Sequence, residues 1–152
     1  MKKTTAKTIT RVILVIFLLC ISLQSVTAYA FPPHSYIEKN ATRNNNTKDT
    51  YEYFNISSGE ATVYAGYVGY PNITTGAQID IKIQRKVLFA WVDVNNGQPN
   101  NTWTDYVTGY QGSVTHSLQL PGRGNYRALI TYTVYGSGGS PDVISFTLYD
   151  SY

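Results

Sequence analysis

The chain has 152 residues, of which 43% are hydrophobic, 14% aromatic and 14% charged, a size and balance that suit one modest domain. Its formal charge of +3 misleads, because Lys2, Lys3, Lys7 and Arg11 crowd the first 30 residues and the remainder carries eight cations against nine carboxylates. A domain so close to neutral lacks the clustered cationic surface that neutralises phosphates, which excludes nucleic acid as a partner.

Residues 1–30 read as a signal peptide, with a cationic start, an apolar run from Val12 to Ile21 and a polar end that closes on small residues. Ala28-Tyr29-Ala30 supplies a small-x-small cleavage pattern, and Val26 with Ala28 supplies another, so cleavage after Ala28 or after Ala30 stays open. An apolar run this short covers only about half of a hydrocarbon core roughly 30 Å thick, so removal is expected rather than a stable membrane span. Cys20 follows Leu18 and Leu19, not the small residues that lipoprotein acylation needs. The processed chain then has no cysteine and no disulfide, and packing alone must stabilise it. The cation-rich leader points to a Gram-positive bacterium, and the expected localisation is secreted. No Leu-Pro-x-Thr-Gly motif and no second apolar span occur, which favours free secretion over wall attachment.

Residues 31–50 run through Phe31-Pro-Pro-His34 and the Asn-rich stretch after Ile37 with few apolar side chains, the pattern of a flexible polar arm. Residues 51–152 change to apolar runs of period two. The clearest is Ile79-Asp-Ile-Lys-Ile-Gln84, whose isoleucines face one way and whose polar residues face the other. Further strands are expected at 51–56, 61–68, 89–94, 103–107, 113–120, 126–135 and 143–149. Turn signals separate them at Ser57-Ser-Gly, Tyr70-Pro-Asn, Asn95-Asn-Gly-Gln-Pro, Pro121-Gly-Arg-Gly-Asn and Gly136-Ser-Gly-Gly-Ser. No amphipathic segment of helical period follows the leader. The reading is all-β, an immunoglobulin-like antiparallel β-sandwich of seven or eight strands, with a small closed barrel as the alternative.

Leu118-Gln-Leu-Pro-Gly-Arg-Gly-Asn-Tyr126, followed by the apolar alternation to Tyr135, resembles the tyrosine corner of immunoglobulin-like and fibronectin type III domains. That resemblance implies a structural Tyr126 whose hydroxyl bonds to backbone a few residues upstream. Together with Ile83-Gln-Arg-Lys86, Trp103, Gly112-Ser-Val and the Gly-Asn-Tyr-Arg to Tyr-Thr-Val-Tyr-Gly segment, it resembles small uncharacterised secreted sandwich proteins of Gram-positive bacteria. The resemblance covers residues 60–150 and implies a fold and a compartment, with no catalytic or binding residue. Trp91 is the candidate core indole, and Trp103, beyond a polar loop, is the more exposed of the two.

Chemistry is sparse. After residue 30 the histidines are His34, in the arm, and His116, which alternates with Val114 and Leu118 and reads as a half-buried packing residue rather than a base. No Gly-x-Ser-x-Gly elbow occurs. The nine carboxylates are scattered, so a hydrolase rests only on two of them meeting in space. No Cys/His cluster or Asp-rich loop predicts a metal, and the glycines at 136–139 lack the lysine and helix of a phosphate cradle. Neither cofactor nor metal is expected, and the protein is read as no enzyme.

Two surface features remain. Thirteen Tyr follow residue 30, and a ring with a polar tip suits both protein recognition and stacking on sugars. Tyr64, Tyr67, Tyr70, Trp103, Tyr106 and Tyr110 are the candidate binding residues for an unknown protein or glycan; half-wet strand packing explains such tyrosines equally well. Asn40, Asn45, Asn55, Asn72 and Asn100 open Asn-x-Ser/Thr sequons, which are glycan sites in a eukaryotic secretory pathway and Asn-rich surface in a bacterial one. Self-assembly is the competing function, with the arm donating a strand to a neighbour's open sheet edge.

Overall fold

The computed structural model describes residues 37–41 and 44–152. The expected signal peptide, Cys20 and His34 lie outside the described residues. The strands are β1 (Ile37–Ala41), β2 (Thr47–Ser57), β3 (Glu60–Gly69), β4 (Thr74–Val87), β5 (Ala90–Asp93), β6 (Trp103–Thr108), β7 (Gln111–Gln119), β8 (Asn125–Gly136) and β9 (Asp142–Ser151), with a short 3₁₀ turn at Pro99–Asn101. They form two antiparallel sheets. The larger runs β1-β9-β8-β4-β5, with β6 beside the first half of β4, and the smaller runs β2-β3-β7. This is an antiparallel β-sandwich.

Period-two alternation decides which faces meet. Ile79, Ile81 and Ile83 of β4, with Ala128, Ile130, Tyr132 and Val134 of β8 and Ile144, Phe146 and Leu148 of β9, turn inward from the large sheet. Phe54 of β2 and Ala61, Val63, Ala65 and Tyr67 of β3 meet them from the small sheet. Small residues on β3 stand opposite bulky ones, so the layers interdigitate. The Tyr126 hydroxyl donates to the Gly122 carbonyl at the β7–β8 corner, the contact that the tyrosine-corner resemblance implies.

Two expectations need correction. The stretch 31–50 is not solvated throughout: β1 pairs antiparallel with β9, and β2 begins at Thr47, four residues earlier than expected. The start of β2 is held by Asp142, a buried carboxylate that accepts the backbone N–H of Asn45 (3.0 Å), Asn46 (2.7 Å) and Thr47 (2.8 Å). Asn46 is itself buried; its side-chain amide donates to the Ser140 carbonyl (3.0 Å) and accepts from the Gly138 N–H (3.1 Å). A Cβ at Gly136 would come within 2.5 Å of the Asn46 Oδ1, so the asparagine fits only because that position is glycine.

The two tryptophans exchange roles. Lys86 pairs with Trp91 on the outer face of the large sheet, where the indole packs on Tyr149 (centroids 5.8 Å apart) beneath the Arg127 guanidinium, 4.5 Å from its ring. Trp103 pairs with Ile81, turns inward and packs against the core. Its register on β4 overrides the polar residues that precede it.

Candidate functional site

The outer face of β2-β3-β7 carries the densest set of exposed aromatic rings on one sheet surface. In β2 the inward residues are Glu52, Phe54 and Ile56, which leaves Asp49, Tyr51, Tyr53 and Asn55 facing out. Tyr53 stands directly across from Tyr64, and Tyr51 across from Gly66. The next strand adds Ser113 opposite Gly66, Thr115 opposite Tyr64 and Ser117 opposite Thr62. Tyr51, Tyr53 and Tyr64 are 52%, 38% and 38% exposed.

Gly66 shapes this surface. A Cβ there would lie 3.0 Å from the Tyr64 hydroxyl and 3.4 Å from Ser113 Cβ, so the missing side chain lets the Tyr64 ring lie along its own strand. A groove of ≈ 230 Å³ results, lined by Tyr51, Tyr64, Gly66, Val68, Gln111 and Ser113 among others. Hydroxyl and amide groups border it, and Thr62 Oγ1 and Ser117 Oγ are 3.0 Å apart farther along the face. Asp49 lies beside the Tyr51 phenol; its charge and hydrogen bond raise the Tyr51 pKa, which keeps that hydroxyl protonated as a donor.

The expected binding residues do not converge. Tyr64 belongs to this face, and Tyr67 also lines its groove. Tyr67 is a core residue, 1% exposed, whose hydroxyl donates to the Gly109 carbonyl at 2.8 Å. Trp103 is inward-facing. Tyr70 and Tyr110 lie on neighbouring loops at one end of the sandwich, joined by the Gly69 N–H to Tyr110 carbonyl bond (2.6 Å). Tyr106 pairs with Gln78 on the outer face of the opposite sheet. Tyr51 and Tyr53, which complete the cluster, escaped sequence reading because β2 alone does not say which of its alternating rows faces out; the inward position of Phe54 decides it.

One further cluster has the form of catalytic machinery. His116 Nε2 lies 2.7 Å from Asp105 Oδ2 where the edge strands β6 and β7 face each other, and the imidazole stacks on Trp103 at 4.8 Å and 8°. Among the described residues no serine, threonine or cysteine makes a hydrogen bond with this pair, and no three metal-ligating side chains gather into a site. What the pair visibly does is close the open side of the sandwich.

No protein-family model matches the chain, and no curated protein matches it.

Proposed function

We propose that the protein is a secreted, non-enzymatic recognition module that binds glycan chains, at the cell envelope or outside the cell, through the outer face of β2-β3-β7. The observation that carries this reading is the exposed trio Tyr51, Tyr53 and Tyr64 around the Gly66 groove. An open face suits an extended chain, its rings offer stacking surfaces, and the bordering Ser, Thr and Gln side chains supply hydrogen bonds to sugar hydroxyls. Affinity electrophoresis through gels containing cell-wall and plant polysaccharides tests it. The protein is expected to be retarded by at least one polymer, and Tyr53→Ala and Tyr64→Ala are each expected to weaken retention about tenfold. Unretarded migration in every gel, or variants retarded as strongly as the parent protein, overturns the reading.

Assembly is the second reading, supported by the way β1 adds to β9 as an outer strand. The same addition between two chains gives a swapped dimer, for which light scattering should report twice the monomer mass.

A further inference from the structure

The tip of the β4–β5 hairpin is the least expected surface on the molecule. Val87 pairs with Ala90, so Leu88 and Phe89 form a two-residue turn. Such turns favour Gly, Asn or Asp, because a central residue takes positive φ. Leu88 adopts φ 54°, which costs a large L side chain about 1–2 kcal/mol. Leu88 is 85% and Phe89 100% exposed. Leu88 thus occupies a strained, largely wet position and Phe89 a fully wet one, where small polar residues would be more stable, and neither side chain packs on the fold.

The surroundings identify what does. Pairing of β4 with β8 ends at Arg85, so the hairpin continues past the sheet as a free two-stranded tongue. Half of the eight cations beyond residue 30 stand on it or at its base: Arg85, Lys86, Arg123 and Arg127. Arg85 is tied to the Arg123 carbonyl at 2.6 Å, and Lys86 and Arg127 lie 6.0 and 4.5 Å from the Trp91 ring. The nearby carboxylate, Asp93, is engaged by Lys82 at 3.0 Å and Gln84 at 2.7 Å. Glu60 stands at the same end of the sandwich, and so does Asp150, which accepts the Ile56 N–H at 2.6 Å. At about 3.3 Å per residue, Lys86 and Trp91 sit about 7 Å behind the apolar tip. Peripheral elements bury their apolar part about 5–10 Å into a bilayer, which leaves indoles and cations at the headgroups.

We propose that the β4–β5 hairpin is a membrane-interface anchor: Leu88 and Phe89 enter an anionic lipid bilayer, Trp91 lies at its interface, and Lys86, Arg85, Arg123 and Arg127 face lipid phosphates. The anchor is peripheral, and among the described residues no helix is long and apolar enough to cross a membrane. A convex apolar point ahead of a cationic collar fits a soft anionic surface better than a protein pocket, which needs a groove matched to it. The anchor lies apart from the tyrosine face and does not depend on its being a glycan site.

Sedimentation of the purified protein with phosphatidylcholine vesicles, with and without phosphatidylglycerol, tests the proposal. The protein is expected to sediment with the anionic vesicles and to be released by salt. The double substitution Leu88→Gly, Phe89→Ser should cut binding about tenfold or more while leaving thermal stability equal or higher, because glycine accepts the turn that leucine strains. Phe89→Ser alone, at a position where nothing packs, guards against a folding artefact and should lose most of the binding. Lys86→Gln should weaken binding a few-fold and flatten its salt dependence, and Tyr64→Ala should leave it unchanged. A protein that stays in solution with anionic vesicles at low salt, or apolar-tip variants that sediment as the parent does, overturns the proposal and leaves a protein partner as the reason for the exposed tip.

Discussion

Asp142 gathers three backbone N–H groups from residues 95 to 97 positions earlier in the chain. Each of those donors would otherwise be desolvated without an acceptor, and an unmet buried donor costs about 1–3 kcal/mol. Asp142→Ala should therefore lower stability by about 3–5 kcal/mol in urea unfolding, among the largest effects a single residue here can produce. Tyr126→Phe removes one hydroxyl from the corner and keeps the buried ring, so a loss of about 1–2 kcal/mol with an unchanged circular dichroism spectrum is expected. The two residues differ in how legible they are. Tyr126 sits in a local pattern of Leu, Gly and Tyr whose hydrogen bond spans four residues. Asp142 follows a Gly-rich turn, which by itself suggests only a turn cap; its partners are remote in sequence and appear only once β2 and β9 lie in opposing layers.

Among the elements, β2 and the β4–β5 hairpin show what strand pairing adds to periodicity. The segment before Tyr51 looks like solvent-loving chain by composition, yet its backbone N–H groups satisfy Asp142 and its β1 covers the β9 edge. A chain beginning at Tyr51 is expected to lose about 3 kcal/mol or more in the same urea assay. Asp142→Ala should add little in that shortened background, since both changes break one interaction. In the hairpin, Phe89 was expected to open a strand and instead forms the turn, because β4 runs on to Val87. Alternation along 79–84 told which side faces in, but not how far the strand continues. On the outer face of this hairpin, the hydrogen bonds from Gln84 and Lys82 hold the Asp93 carboxyl below the usual carboxylate range. The sign follows directly: the folded state gives up this proton more readily than the unfolded chain, so the contribution is full above about pH 4 and is lost as the pH falls through the folded value. For a partly exposed pair it amounts to less than about 1 kcal/mol, and Asp93→Asn should flatten the acid limb of stability by no more than that.

At the scale of the whole molecule, stability rests on one interleaved apolar layer that includes the phenols Tyr67, Tyr126 and Tyr132. Burial raises the pKa of all three, and for Tyr132 the charge of Glu52 adds to the effect. The folded protein therefore keeps these protons at pH values where the unfolded chain has released them. Their contribution is full below about pH 10 and declines as the pH rises beyond it. Tyrosinate absorbance should accordingly include a late stage, from Tyr67, Tyr126 and Tyr132, that coincides with loss of the β-sheet circular dichroism band. A single early stage for all tyrosines would mean that the core phenols are open to water.

The sequence by itself determined that this chain makes strands, that each strand has a wet and a dry side, and that a tyrosine pins one corner, because these depend on side chains only a few residues apart. Which tyrosines share a surface, which tryptophan is inside, and that a leucine and a phenylalanine stand alone beyond the last sheet pairing were decided by register between strands far apart in the chain. Sliding any of those pairings by one residue would exchange its inner and outer rows, and only the contacts of the folded sandwich fix the choice.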